Sequence, residues 1–314
     1  MSGSKPTVRF GTRGSSLAMT QTSAAAEELA DHGGFDVELV TVKTQGDEFK
    51  GSLTQIGGTG VFVTALRDSL LRGDCDIAVH SLKDLPTEAA QDLDIAAIPP
   101  RVDHRDALCA RNNLTLAELE PGSKVGTGSP RRGAQILAAR PDLEVVDIRG
   151  NVGTRLGRVA PGDLDAVVLA AAGLQRLELQ DAVTEYLDPS VMLPAPAQGA
   201  LALECRSETN TDRSMVGKAL AAYDDAATRL PVTAERSVLA RLEAGCTAPI
   251  GALGHLGQGR LSLDAVVCKP DGSRIIRQSA ATGDTSAAGA AALGVLLAEK
   301  LLDAGAAGLT PLAE

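Results

Sequence analysis

The chain has 314 residues, enough for two or three domains, and its 44% hydrophobic and 22% charged content suits a globular enzyme. A net charge of −10, only 2% aromatic residues and no Trp argue against a nucleic-acid reader, which needs a basic face and stacking platforms. The opening residues carry no apolar leader, the apolar run at 287–298 is too short for a bilayer, and five scattered cysteines and four histidines lack ligand spacing. The expectation is a cytoplasmic protein with no membrane partner, no nucleic-acid partner and no metal.

In chain order, "TVRF" (7–10) predicts a strand, followed by a turn holding Arg13 and Ser15 and an Ala-rich helix over about 17–31. "FDVELVTV" (35–42) is a second strand. The stretch 43–60 is polar, Gly-rich and without period, and is read as a functional loop. Helical spacing resumes over 61–72, and "DIAVHSL" (76–82) is a buried strand. A second block runs from the strand "KVGTG" to the helix "SPRRGAQILAAR", with Ser129 as N-cap and Pro130 first in the helix. "EVVDIRG" is a strand ending at Arg149, and "NVGTRLGRVA" starts a helix capped by Asn151, with Arg155 in its first turn. "LDAVVLAAAGLQRL" is a strand, a turn and a helix that reaches Arg176. This alternation predicts α/β domains with parallel sheets covered on both faces. Beyond about 225 the texture becomes α+β: a helix over 228–243 ending at Gly245 and Cys246, two strands around a Pro-Asp-Gly turn, and a helix over 286–303.

Of the 30 basic residues 22 are Arg, whose planar fork grips carboxylates with paired hydrogen bonds. Cations at helix N-termini cost about 0.3–1 kcal/mol each against the macrodipole. Several of them after successive strands therefore suggest that a bound anion supplies the compensating charge; singly, each could be a surface residue paired with Asp or Glu. In "VHSLKDLP" (79–86) a buried strand runs into Ser81, Lys83 and Asp84. Cationic neighbours favour an ionised Asp84, able to accept from ligand N–H groups or stabilise a developing cation. The bland alternative is a Lys–Asp turn pair. "GTGSP" and "GGTG" fit neither nucleotide-loop pattern. Cys75, Cys109, Cys205 and Cys268 lie in or beside apolar strand patterns and are expected in the core, whereas Cys246 sits in the turn "AGCTAPIG". Four readings of Cys246 stay open on pattern alone: a small turn residue, a catalytic thiol lacking a partner histidine, a metal ligand, or a covalent attachment point.

Taken together, "GTRGSSLA", "GGTGVFV", "VHSLKDLP", "GSPRRGAQ", "RGNVGTRL", "LPAPAQGALALECR" and "ERSVLARLEAGC" resemble, in order and spacing, the porphobilinogen deaminase (hydroxymethylbilane synthase) family over essentially the whole chain. The resemblance implies a transferase of tetrapyrrole and heme biosynthesis. It would join four porphobilinogen molecules head to tail, with loss of ammonia at each step, into linear hydroxymethylbilane. It implies a dipyrromethane cofactor held by a thioether to Cys246, with Ser81, Lys83, Asp84, Thr127, Ser129, Arg131, Arg132 and Arg155 around it. Substrate and growing oligopyrrole would meet Arg13, Ser15, Arg149, Arg155, Arg176, Gln198 and Phe62, with Asp84 as the catalytic group beside the azafulvene cation. The implied fold is two α/β domains of the type II periplasmic-binding-protein kind (1–99 plus 199–220, and 100–198), with an active-site cleft between them. A small α+β domain (225–314) carries Cys246. Hinges near 100 and 198, an active-site loop at 43–60 and a monomeric state complete the expectation. Gln55 and Thr59 stand where some family members have Lys, and Gly128-Ser129-Pro130 replaces the usual Ser-Ser-Leu. Both departures bear on ligand contacts, not on Asp84 or Cys246. The competing expectations are a two-lobed polycarboxylate-binding protein without catalysis and a thiol hydrolase.

Overall fold

The computed structural model describes residues 5–42, 60–242 and 248–310, without the side chains of 60–62. In β1 (Thr7–Thr12) the inward positions Val8 and Phe10 are buried, and full burial of a side chain such as Phe10 contributes about 1.5–3 kcal/mol. Helix α1 (Ser16–Gly33) starts at the Ser15 cap and stops at Gly34, whose left-handed φ of 67° lets its N–H close on the Ala30 carbonyl. There follow β2 (Asp36–Thr41), α2 (Gly60–Arg72), β3 (Ile77–Ser81) and β4 (Leu93–Ala97). Next come β5 (Asp106–Ala110), β6 (Lys124–Gly126), α3 (Pro130–Ala139), β7 (Glu144–Val146), α4 (Val152–Leu156), β8 (Ala166–Ala170), α5 (Ala171–Arg176) and β9 (Glu185–Leu187). The chain continues through β10 (Leu201–Arg206), α6 (Met215–Tyr223), α7 (Ala226–Arg241), β11 (Ile250–Gly257), β12 (Arg260–Cys268), β13 (Ile275–Thr282) and α8 (Ala287–Asp303).

These elements divide into two compact units, Met1–Arg101 with Ala200–Arg229, and Val102–Gly199 with Leu230–Glu314. The first holds the sheet β2-β1-β3-β10-β4 and the second holds β7-β6-β8-β5-β9. Both have the same plan. Three parallel strands are joined by a returning strand that runs antiparallel to its neighbours, β10 in one sheet and β5 in the other. Each returning strand comes just after the chain passes from one unit to the other, at the first and second of its three passages. The parallel pairing expected from the alternation holds for three strands of each sheet, and the returning strand departs from it. A strand entering from the other unit needs no helical crossover, and it is free to run antiparallel. At the second crossing Gly199 has φ +91°, and a Cβ there would lie 2.7 Å from the Val102 carbonyl oxygen, which leaves no room for a side chain.

The second unit also contains the antiparallel sheet β11-β12-β13, whose core side chains pack with those of α7 and α8. Its strands β12 and β13 form the hairpin expected around the Pro-Asp-Gly turn, whereas β11 was not read from the sequence. A small cluster of Ala134, Leu193, Val266 and Cys268 fastens this sheet to the α/β part of the same unit. Among the described residues no helix is long and apolar enough to cross a membrane.

Candidate active site

In the first unit β1 and β3 are parallel neighbours, so their carboxyl ends open at one edge, where ligands of α/β sheets bind. The chain leaves β1 through Arg13 and Gly14. The Ser15 hydroxyl then accepts the Ala18 N–H at 3.3 Å, which caps α1. At the end of β3 the Ser81 hydroxyl donates to Gln21 Oε1 of α1 at 3.3 Å, which ties the end of the strand to that helix. Leu82–Asp84 form a single 3-10 turn rather than a continuation of the strand. Leu82 and Leu85 are buried on either side and pin the turn, while Lys83 and Asp84 stay half-buried. Among the described residues, no hydrogen bond or ion pair engages the Asp84 carboxylate.

Behind this turn lies a network that sequence reasoning missed. Glu204 of β10, 1% exposed, accepts from Arg67 of α2 at 2.9 and 3.1 Å, and His80 Nε2 of β3 lies 3.2 Å away. Burial pushes the Glu204 carboxyl up, but the close approach of His80 and the hydrogen bonds from Arg67 outweigh it and hold the carboxyl below its usual range.

In the second unit Ser129 caps α3 by accepting the Arg132 N–H, and its own N–H donates to Thr127 Oγ1 at 3.2 Å. Pro130 takes the first helical position, as expected. Arg131 and Arg132 then turn inward onto Asp106 at the start of β5, whose side chain is fully buried. Arg131 Nη1 lies 2.7 Å from one carboxylate oxygen, and Arg132 Nε and Nη2 lie 2.9 and 2.8 Å from the other. Arg131 also donates to the Leu193 carbonyl at 2.6 Å, and Arg132 to that of Val168 at 3.2 Å. Gln198 Nε2 donates to Asp106 at 2.9 Å and to the His104 carbonyl at 2.9 Å, with Arg132 Nη2 3.4 Å from Gln198 Oε1. Burial alone would raise the Asp106 carboxyl, yet Arg131 and Arg132 hold it far below the ordinary carboxylate range. The compensating charge for these two helix N-terminal cations therefore comes in part from the chain itself, not from a ligand alone.

The remaining arginines correct the sequence reading in detail. Strand β7 ends at Val146, so Arg149 lies three residues beyond it, exposed, with Asp147 3.5 Å away. Asn151 caps α4 as predicted, but the helix is so short that Arg155 falls in its last turn, with Nε donating to the Gly150 carbonyl at 2.8 Å. Burial, then the charges of Arg132 and Arg149, push the Arg155 guanidinium below its ordinary pKa. Among the described residues Arg155 has no ion pair. Arg176 closes α5, where the macrodipole favours a cation, and it donates to the Gly199 carbonyl at 2.9 Å, next to Gln198. Cys75, Cys109, Cys205 and Cys268 are buried, as expected. Cys246, Gln55, Thr59 and the loop through 59 lie outside the described residues, as does the Phe62 side chain.

Residues 8–214 match the family model described as porphobilinogen deaminase, dipyromethane cofactor binding domain, and residues 229–303 match the porphobilinogen deaminase C-terminal domain. The chain belongs to the porphobilinogen deaminase family. A porphobilinogen deaminase of Leifsonia xyli is 54% identical, covering 97% of this chain and 94% of its own, and that of Cutibacterium acnes is 54% identical, covering 97% of each. Among solved structures, the periplasmic VFT2 domain of Bordetella pertussis BvgS shares 18% identity at a TM-score of 0.40, over 69% of this chain and 87% of that one. As a porphobilinogen deaminase the chain is an enzyme, a transferase of porphyrin biosynthesis that contains a dipyrromethane-binding domain.

Proposed function

We propose that the chain extends an oligopyrrole from porphobilinogen on a dipyrromethane held by a thioether at Cys246, with Asp84 as its catalytic carboxylate. The observation that carries this reading is a cluster of four arginines in the second unit with only Asp106 and Asp147 set against it among the described residues. Arg131 and Arg132 share one carboxylate, Arg149 is loosely paired, and Arg155 is half-buried beside Arg132 and Arg149. Like cations gathered this closely repel one another, and a bound anion relieves that repulsion. A dipyrromethane and every porphobilinogen added to it bring acetate and propionate groups, so the residues present fit the cofactor the family implies. The bound cofactor supplies the pyrrole carbon from which extension starts.

The roles follow from what each side chain can do. Asp84 accepts pyrrole N–H groups, and its charge stabilises the azafulvene cation formed as ammonia leaves the aminomethyl group. Bond formation would be balanced by loss of the pyrrole α-carbon proton to solvent. Water cleaving the bond to the retained dipyrromethane, its hydroxyl to the product and its proton to the retained pyrrole, would release hydroxymethylbilane. Ser81, Lys83, Thr127, Ser129, Arg131, Arg132 and Arg155 hold the cofactor carboxylates and flanking polar groups. Arg13, Ser15, Arg149, Arg176 and Gln198 hold those of incoming and added rings, with Phe62 beside the rings. Three domains carry this machinery in the reading: 1–99 plus 199–220, 100–198, and 225–314. The decisive experiment is intact-mass analysis of purified protein, wild type against Cys246→Ser, alongside ammonia release from porphobilinogen. The expected result is a pyrrole adduct and turnover in the wild type and neither in the variant. An unmodified wild type that binds porphobilinogen without releasing ammonia would instead be a polycarboxylate-binding protein.

A further inference from the structure

We propose that Asp106 is the positioning residue of the Arg131–Arg132 pair, fixing which guanidinium edge is left for a ligand carboxylate. The inference rests on the functional reading above. Asp106 opens β5, which pairs with β8 on one side and β9 on the other, with Asp106 opposite Ala170 and Leu187. Its backbone is thus held on both flanks, and its side chain is fully buried. A lone carboxylate in that position would be strongly disfavoured, and it is sustained by hydrogen bonds from Arg132 and Gln198 to one oxygen and by the ion pair of Arg131 with the other. Gln198 sets the geometry. Its amide N–H groups go to Asp106 and the His104 carbonyl, which turns its carbonyl oxygen toward Arg132. The Nε and Nη2 edge of Arg132 is thereby committed to Asp106 and Gln198, and one Nη1 hydrogen to Val168. Arg131 is turned onto Asp106 and Leu193. Two cations against one carboxylate leave a net positive charge that is already desolvated and oriented, so an arriving carboxylate does not have to order it.

The test compares R131M, D106N and D106N/R131M in the full-length protein with wild type. The double variant removes one positive and one negative charge together and so keeps the wild-type net charge at the pair. Positioning predicts that D106N/R131M melts cooperatively yet shows adduct occupancy by intact mass about tenfold lower than R131M, the scale of one charge-assisted hydrogen bond. Equal occupancy and equal KM in R131M and D106N/R131M would overturn the role of Asp106. A second measurement needs no variant to fold. In wild-type protein labelled with 15N-arginine, the Arg132 Nε–H should stay protected from exchange and unshifted on adding porphobilinogen. Exchange or a shift of that signal on binding would show that the Asp106 contact is released and would sink the proposal. A wild type without adduct or ammonia release, in contrast, removes the functional reading itself.

Discussion

Asp84 and Asp106 are the same residue type in opposite settings, and the setting assigns the work. Asp106 is buried, accepts hydrogen bonds from Arg132 and Gln198, and is ion-paired with Arg131. Asp84 stands half-buried on a turn pinned by Leu82 and Leu85, and among the described residues nothing engages its carboxylate. Removing Asp84 therefore breaks no native bond among those residues. Asp84→Ala should lower ammonia release by about a hundredfold to a thousandfold while the unfolding free energy stays within roughly 0.5 kcal/mol of wild type. Paired turnover and urea-unfolding measurements check both halves, and a destabilised variant would mean that the side chain is structural. Arg149 is also exposed, and among the described residues it has only a 3.5 Å approach to Asp147 to lose. Arg149→Leu should fold normally and accumulate partly extended complexes, visible as a ladder of masses after a brief exposure to porphobilinogen. A wild-type mass distribution would remove Arg149 from substrate handling.

At the scale of elements, the helix starts were legible because their chemistry is local. Ser129 and Asn151, expected as caps, each accept a backbone N–H of the helix they precede, and Ser15, expected only as a turn residue, does the same for α1. The cap on α3 also orients the segment that carries Arg131 and Arg132. Ser129→Ala should cost about 1 kcal/mol of stability, read from the urea midpoint, and it should weaken adduct loading by more than a Ser15→Ala cap loss on α1 of similar cost. Equal effects on loading would show that cap loss acts only through stability. Strand direction was not legible, because partners far apart in sequence decide it; β5 and β10 look locally like any buried strand. β11 escaped notice because its glycines, "IGALGHLG", erase the alternating pattern. Asp106 and Glu204 were missed for another reason. Each is a single acid at or inside an apolar strand, "DALCA" and "LALECR". Such a residue is almost never fully buried without a partner. That rule, joined to the Arg-rich motifs, was the available signal for both networks.

For the whole molecule, the buried ionisable groups set limits on stability at both ends of the pH scale. On the acid side, Glu204 in the first unit and Asp106 in the second are held below their ordinary values by arginine and histidine partners that outweigh burial. A carboxyl depressed in the folded state contributes stability above its unfolded pKa, about 3.9 for Asp and 4.3 for Glu, and loses it as pH falls toward the folded value. Weakening should therefore begin near pH 4 and continue below it. On the alkaline side the sign reverses. Burial raises the Cys205 thiol of the first unit to about 12 and, in the second, Cys109 to about 11 and Cys268 to about 12, against an ordinary 9.0. In the unfolded chain these thiols ionise near pH 9 while the folded chain keeps them protonated. Unfolding then releases protons, and stability declines from about pH 9 until the folded values are reached. Each unit carries at least one group of each kind, so neither escapes either limb. Urea midpoints measured from pH 3 to 11 should trace a plateau with a fall at both ends. Cys205→Ala and Cys268→Ala should each flatten the alkaline fall without moving the acid one. An alkaline limb unchanged in both variants would mean that other groups govern it and that the buried thiols ionise alike in the folded and unfolded chain.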